Sequence, residues 1–395
     1  MRHTLLIFVG LLLAQPAFAG SLRTALDQAW ERNPEAQVLE ARRAESDAQA
    51  VAANSLLPGA PALVVGHRSD QLNDDVGARE WEAGIEMPVW LPGQRGARQR
   101  EARAGRSGLE ASIRALRLKL AGELRESIGR LRAVQAQIRL DEARVQTAER
   151  LAEDVAKRVR AGELARTDLN LAQNEWRSAQ ATLLQNRSQL LQAQQSYAAL
   201  TGDTTPPEDS AERARAQALS DDHPLLEEAR LAIEVAQAQV EVARQSRRDN
   251  PELALSTRRE RNDLEPYANT VALELRLPLA TDARNLPLTS AAQTALTGAR
   301  SEYRRLGIAL EHRRQQAEQA LEAADQLLAL AQQQREAARE NLGLIQKAFD
   351  LGETDLFTLL RARSAAFEAE QGYSQQEIAQ ALARARLNQA QGVLP

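Results

Sequence analysis

Two short acidic turns are the places in this sequence where residue types and spacing could do chemistry. In each turn a glycine is followed directly by a glutamate, and an aspartate comes a few residues later. The residues are Gly162, Glu163, Asp168, Gly352, Glu353 and Asp355. If several copies of the chain surround an axis, these carboxylates form rings that attract cations and repel anions. The two aspartates could equally cap the helices that follow them, and the two roles are compatible.

Residues that bind metals or carry catalysis are scarce. Cysteine is absent, and Met87 is the only methionine after the first residue. The histidines are isolated from one another, at His3, His67, His223 and His312. His223 stands directly before Pro224 at an expected helix start, where a capping or surface role is favoured over metal binding. The chain also lacks a Gly-rich phosphate loop and a nucleophile elbow, so we expect no enzyme activity, no metal site and no cofactor.

The N-terminus has the pattern of an export signal. A short polar start at Arg2 is followed by an apolar run over residues 5–13 and by the small-x-small site Ala17-Phe18-Ala19. This pattern predicts a signal peptide over residues 1–19 and a mature chain that starts at Gly20. A buried N-terminal helix is the alternative. The apolar run is too short for a membrane-spanning helix, which needs about 20 apolar residues. No apolar run of that length follows it.

The composition predicts long helices rather than a thick core. Ala, Leu, Gln, Glu and Arg dominate, whereas aromatic residues make up 3% of the chain. The dominant residues are strong helix formers, and Ala with Leu suits thin helix-on-helix packing. The formal net charge is −4 and the basic residues are spread along the chain, so nucleic acid is not an expected partner.

The chain contains an internal duplication. A shift of 190 residues superimposes its proline and glycine landmarks, although only 14 of the 395 residues are proline. The matching pairs are Pro34 with Pro224, Pro61 with Pro251, Pro88 with Pro278, Gly162 with Gly352, and Gly202 with Gly392. We therefore predict a first structural repeat over residues 20–202, a linker over 203–210 that is rich in helix breakers, and a second repeat over 211–395.

Each repeat is expected to contain a very long helix. Residues 98–160 carry no proline, and apolar residues recur there at spacings of three and four, which is the helical period. Residues 290–350 repeat the pattern with more Ala and Gln. A helix of the first kind would be about 95 Å long at 1.5 Å per residue. Shorter helices are expected over residues 22–55 and 222–248, and the molecule is expected to be elongated.

In four segments the apolar residues recur with a period of two instead of the helical period. The segments are residues 62–69, 79–88, 253–261 and 269–278, which read as two β-hairpins. Apolar residues alternate with polar ones, and Trp81, Ile85, Val271, Leu273 and Leu275 lie on the apolar side. These hairpins either pack on a soluble core or cross a membrane with that side toward lipid.

Membrane strands would require several chains. Four strands cannot close a barrel and would leave two edges exposed in lipid, where unpaired backbone groups are not tolerated. Three chains would supply twelve strands, enough for an aqueous lumen. The expected fold is mainly α with a small β part. If the strands cross a membrane, three chains would bundle their duplicated long helical hairpins into a trimeric α-barrel, and the four amphipathic strands of each chain would contribute to a twelve-stranded transmembrane β-barrel.

Several local motifs resemble the outer-membrane efflux proteins, the TolC-like family, and most closely its CzcC branch, associated with heavy-metal efflux. The first is Ala25-Leu26-x-x-Ala29-x-x-x-Asn33-Pro34. The others are Met87-Pro88-Val89, the segment Leu91-Pro92-Gly93-Gln94-Arg95-Gly96, and the two acidic glycine turns. Their order covers almost the whole chain. The segment after Pro278 departs from the family pattern because it lacks a glycine after Arg284-Asn285.

This resemblance implies a homotrimer in the outer membrane, in contact with its lipid, with a tunnel that extends into the periplasm. It implies a passive exit duct, with heavy-metal cations as one possible cargo, served by a periplasmic adaptor protein and an inner-membrane efflux pump. The glycine turns would be the periplasmic tips of the tunnel, where the aperture meets the adaptor. Two alternatives remain, a periplasmic coiled-coil adaptor and a structural coiled-coil protein of an export system. An adaptor should have a single helical hairpin between β domains, and a stalk would not explain the amphipathic strands.

Overall fold

The computed structural model describes residues 21–73, 77–207, 212–214, 222–261 and 266–395. The predicted signal peptide over residues 1–19 lies outside the described residues, as do residues 208–210 of the predicted linker. The described elements are α1 (Leu22–Arg32), α2 (Pro34–Asn54), β1 (Ala62–Ser69), β2 (Arg79–Pro88), α3 (Gln94–Arg160), α4 (Arg166–Thr201), α5 (Pro224–Gln245), β3 (Glu252–Arg261), β4 (Ala268–Arg276), α6 (Asp282–Asp350) and α7 (Leu356–Ala390). The prediction of a mainly α fold with a small β part is confirmed.

Local capping signals set the helix starts. The Asn33 side chain accepts a hydrogen bond from the Ala36 N–H at 3.0 Å, and Pro34 takes the first position of α2, where no donor is needed. At the start of α5, His223 Nδ1 accepts from the Leu225 N–H at 3.2 Å. Burial lowers the pKa of His223, which keeps the ring neutral and able to accept. The predicted capping role of His223 is confirmed.

Two helices dominate the molecule. α3 has 67 residues and α6 has 69, so each is about 100 Å long. They begin earlier than the apolar period predicted, at Gln94 and Asp282. α6 contains Pro287 in its second turn, where the helix loses the hydrogen bond that an N–H at this position would donate. Among the described residues, no helix combines the length and the apolarity that a membrane span requires.

The long helices fold back as hairpins, α3 on α4 and α6 on α7. One apolar cluster joins α1, α2, α3 and α4, and its buried members include Leu22, Trp30, Leu116, Leu120, Leu124, Leu131 and Tyr197. A second cluster joins the two hairpins near their turns through Leu151, Val155, Phe349, Leu356 and Leu359. Both clusters are thin, as expected for packing through leucine and alanine.

The strands form one antiparallel sheet in the order β1-β2-β3-β4. The two predicted hairpins are therefore joined, because β2 also pairs with β3 along its whole length, from Arg79 opposite Arg261 to Pro88 opposite Glu252. The outer strands β1 and β4 each have one partner strand within the described chain. Their free edges can accept further strands.

Candidate functional site

One face of the sheet is apolar and exposed. Residues opposite each other in an antiparallel register point to the same side, and Leu63, Ile85, Leu255 and Leu273 form one such row. The neighbouring rows place Trp81, Val271 and Leu275 on the same side. All five residues that the alternation predicted for this side are exposed, and Val271 is 77% exposed. The structure therefore brings the predicted set together on one surface.

The opposite face is charged and carries its own ion pairs. Arg258 lies 3.0 Å from Glu80 and 3.8 Å from Glu82, and Arg68 lies 3.3 Å from Glu80. Nearer the helices, Arg276 lies 3.3 Å from a carboxylate oxygen of β3. This division into an apolar and a charged face is the amphipathic pattern that the alternation of the sequence predicted.

A partly buried amide network fixes the sheet to the helices. The side chain of Gln94, at the start of α3, is paired with the side chain of Asn250, which precedes β3. Each amide donates to the oxygen of the other, at 3.2 and 2.7 Å. Asn250 also donates to the Val89 carbonyl at 2.9 Å, and Gln94 accepts from the Leu91 N–H at 3.1 Å. Sequence reasoning quoted Gln94 only as part of a motif and missed its role.

The two glycine turns have the same backbone geometry. Gly162 and Gly352 have φ of 80° and 76°, in the left-handed region that favours glycine. Each turn closes with two hydrogen bonds. In the second turn the Gly352 N–H donates to the Phe349 carbonyl at 3.1 Å, and the Glu353 N–H donates to the Ala348 carbonyl at 2.8 Å.

The aspartates of the two turns are not equivalent, contrary to the sequence interpretation. Asp355 is the N-cap of α7, and its carboxylate accepts from the Thr358 N–H at 2.8 Å. Asp168 lies three residues into the helix start, and its carboxylate accepts from the Ala165 N–H at 3.1 Å. The 190-residue shift places Asp355 opposite Ala165, not opposite Asp168. A capping box has two hydrogen bonds, one accepted by the N-cap side chain and one by the side chain three residues later. The second turn has the first of these bonds, and the first turn has the second. Hydrogen bonds from Thr358, first through its side chain and then through its backbone, hold the pKa of Asp355 below its usual value.

The two turns lie side by side at one end of the molecule. Arg158 of α3 stands over the Phe349 ring of α6, 5.1 Å from its centroid, and 3.9 Å from Asp350. Both residues belong to the helical ends that lead into the turns. Glu163, Glu353 and Asp355 are exposed there. The structure thus brings the predicted acidic residues to a single tip. Among the described residues, no group of three or more His, Asp and Glu side chains could hold a metal ion.

Comparison with known families decides the identity. The family model described as outer membrane efflux protein matches residues 25–203 and 216–393. The chain belongs to the outer membrane efflux protein family. The match falls in two segments, one on each side of the predicted linker. No finding places this efflux protein in the CzcC branch, which stays a prediction.

Solved structures share the fold of this efflux protein at low identity. Crystal structures of CusC match with a TM-score of 0.77 at 16% identity, covering 94% of this chain and 92% of that one. The outer membrane protein VceC from Vibrio cholerae matches with 0.75 at 17%, covering 94% and 96%. The open state of the Neisseria gonorrhoeae MtrE outer membrane channel matches with 0.74 at 19%, covering 94% and 89%. No curated protein sequence matches the chain.

Substitution of Gly352 should loosen this tip of the efflux protein. A β-carbon at Gly352 would meet no atom within 4 Å, so Gly352→Val strains only the backbone, by about 1–2 kcal/mol. We expect faster hydrogen exchange at the Gly352 and Glu353 amides. Gly343→Val is the matched control, because that position has equal space within α6 and no positive φ. Equal exchange in both variants would show that the turn does not need its left-handed residue.

Proposed function

We propose that three copies of this chain form an outer-membrane channel that serves as the passive exit duct of a tripartite efflux pump, with no catalysis of its own. The observation that carries the proposal is the open sheet, which has one exposed apolar face and two outer strands with a single partner each. Pairing β4 of one copy with β1 of the next would satisfy both edges and close twelve strands into a barrel. The helical hairpins would then surround the same axis as a periplasmic tunnel.

Two measurements together test the proposal: the oligomeric mass of the protein and its channel conductance. Purified from membranes in detergent, the mature protein should have the mass of a trimer, and in planar bilayers it should form discrete aqueous channels. A soluble monomer that is released from the periplasm would overturn the proposal. The sheet and family membership also oppose the two alternatives, because an adaptor or a stalk gives no account of an exposed apolar sheet with free edges.

The tip that carries the glycine turns is the proposed periplasmic aperture and adaptor contact. It lies at the hairpin ends of α3 and α6, and it exposes Glu163, Glu353 and Asp355. Three copies would place nine such carboxylates around the axis, together with Asp168 of each chain. Close carboxylates repel one another, so the tip should favour cations and resist closure. The partners are an adaptor and an inner-membrane pump, which would select the cargo, heavy-metal cations included.

The charge of Asp355 can be tested separately from its capping role. Asp355→Ala removes the cap and destabilises the helix start by about 1 kcal/mol, so Asp355→Asn, which keeps a capping oxygen, is the better variant. We expect Asp355→Asn to lower the preference for cations or change the conductance in planar bilayers, with trimer assembly intact.

Glu353→Gln is the companion variant, because Glu353 is exposed at the same turn and its side chain has no capping role in the described structure. Normal conductance and selectivity in both variants would mean that the turns are only helix connections. The gate would then lie elsewhere along the tunnel.

A further inference from the structure

The loop end of the apolar sheet face carries a cluster of basic and aromatic residues. We call it the rim cluster, and its members are His67, Arg79, Trp81, Arg259, Arg261 and Tyr267. The register places Trp81 opposite both His67 and Arg259, and Arg79 opposite Arg261. All of these strand positions therefore point to the same side as Ile85 and Leu273.

Ring contacts join the members of the rim cluster in two groups, except Arg79, which is placed by the strand register alone. His67 and Trp81 are stacked with their ring centroids 4.1 Å apart. Arg259 lies over the Tyr267 ring, 4.4 Å from its centroid, and Arg261 lies 5.7 Å from the same centroid. Arg259 and Arg261 are two residues apart on one strand, so their stems are about 7 Å apart. The cluster thus presents closely spaced cations beside aromatic rings.

The arginines of the rim cluster differ from those on the opposite face in their ion pairing. There, Arg68 and Arg258 are paired with Glu80. Among the described residues, no ion pair within 4.0 Å involves Arg79, Arg259 or Arg261. Arginine on a lipid-facing surface is destabilising at mid-membrane and tolerated near the interface, where phosphates are available to pair with it.

The basic residues lie at one end of the apolar band. At the other end, next to the helices, the same face carries Met87, Leu253 and Leu275. β2 has ten residues, so at a barrel tilt of about 40° it rises about 26 Å, close to the height of an apolar membrane band. With the helices in the periplasm, the rim cluster reaches the headgroups of the outer leaflet.

We propose that the rim cluster binds the phosphorylated headgroup of the outer-leaflet glycolipid, lipopolysaccharide. Arg259 and Arg261 would contact its phosphates, Arg79 would add a third cation from the neighbouring strand, and Trp81 and Tyr267 would lie at the level of the sugar and acyl boundary. A trimer would have three such sites. This inference rests on the proposed membrane placement of the sheet.

The proposal is tested by measuring the binding of bisphosphorylated lipid A to the detergent-purified trimer with native mass spectrometry. Arg259→Gln/Arg261→Gln should weaken binding about 25-fold, because each basic residue near an anionic membrane surface contributes about fivefold. The control Arg68→Gln/Arg258→Gln removes the same charge at the same strand end from the opposite face. Its binding should stay within about threefold of wild type. Lipid A without phosphates should bind the wild type weakly.

Equal weakening in the two double variants would overturn the proposal, because it would show a general charge effect. Competition by inorganic phosphate at the lipid's own concentration would show a site for free phosphate, and equal binding of phosphatidylglycerol would show a site without preference for the glycolipid. Conductance measurements distinguish a failure of the proposed lipid site from a failure of the proposed channel function. If wild type and variants conduct as trimers but bind lipid A equally, only the rim site is wrong. If the wild type neither inserts nor conducts, the proposed function is wrong.

Discussion

Replacing Leu273 with arginine should prevent most of the protein from reaching the assembled trimer in the membrane. Leu273 lies in the middle row of the apolar face, opposite Leu255, and it is 72% exposed in the single chain. An arginine on the lipid face near the bilayer midplane costs about 2–4 kcal/mol. A trimer would carry that cost three times. We expect the fraction of trimer in outer-membrane preparations, measured on unheated gels, to fall at least about tenfold.

Ala272→Arg is the matched control, because it adds the same charge one residue away. Ala272 points to the opposite face, in a row with Ser256 and Gly84. These small side chains leave space, and the proposed lumen supplies water, so assembly should stay close to wild type. Comparable assembly of both variants would contradict a lipid-facing role for Leu273, and with it the assignment of Trp81, Ile85, Val271 and Leu275 to lipid.

The helices and strands were predictable because each has a local period. Leu116, Leu120 and Leu124 repeat at helical spacing, and all are buried in the first core cluster. The alternation of Trp81 and Ile85 with charged residues predicted β2, which spans the expected residues. Such periods arise from neighbours along one element, and they need no knowledge of the rest of the fold.

Pairing between distant elements was harder to predict from the sequence. The contact of β2 with β3 joins segments about 170 residues apart, and no local pattern sets that register. The capping roles show the same limit on a smaller scale. Asp168 and Asp355 follow similar glycine turns, yet only Asp355 is an N-cap. The difference depends on where each helix begins, a boundary that composition defines poorly.

The buried ion pair between Arg125 and Glu212 escaped sequence reasoning entirely. Arg125 lies in the middle of α3, among many arginines of the same helix. Its guanidinium contacts both carboxylate oxygens of Glu212, at 2.7 and 2.6 Å, and donates to the Val393 carbonyl at 3.0 Å. It therefore joins the first repeat to the chain just after the predicted linker and to the C-terminus. Nothing in its neighbours distinguishes it from the exposed arginines.

Arg125→Ala should be one of the most destabilising single substitutions in this protein. The side chain of Arg125 is 3% exposed and that of Glu212 is 13% exposed. Removal of the arginine would leave a carboxylate in a poorly solvated site without its partner, which costs about 3–5 kcal/mol. We expect a lower midpoint of thermal unfolding of the detergent-purified protein. We also expect faster cleavage by protease between the two repeats, since the contact holds Glu212 against α3.

The comparison with Arg386→Ala decides whether burial is the cause. Arg386 also contacts both oxygens of a carboxylate, Glu126, at 2.6 and 2.8 Å, but its side chain is 57% exposed. An exposed pair contributes about 0–1 kcal/mol, so this variant should unfold and be cleaved nearly as the wild type. Glu212→Gln should lie between the two, because it removes the charge and keeps an acceptor for Arg125. If Arg125→Ala and Arg386→Ala shift unfolding equally, the pair is an ordinary surface contact and the repeats are held together by packing alone.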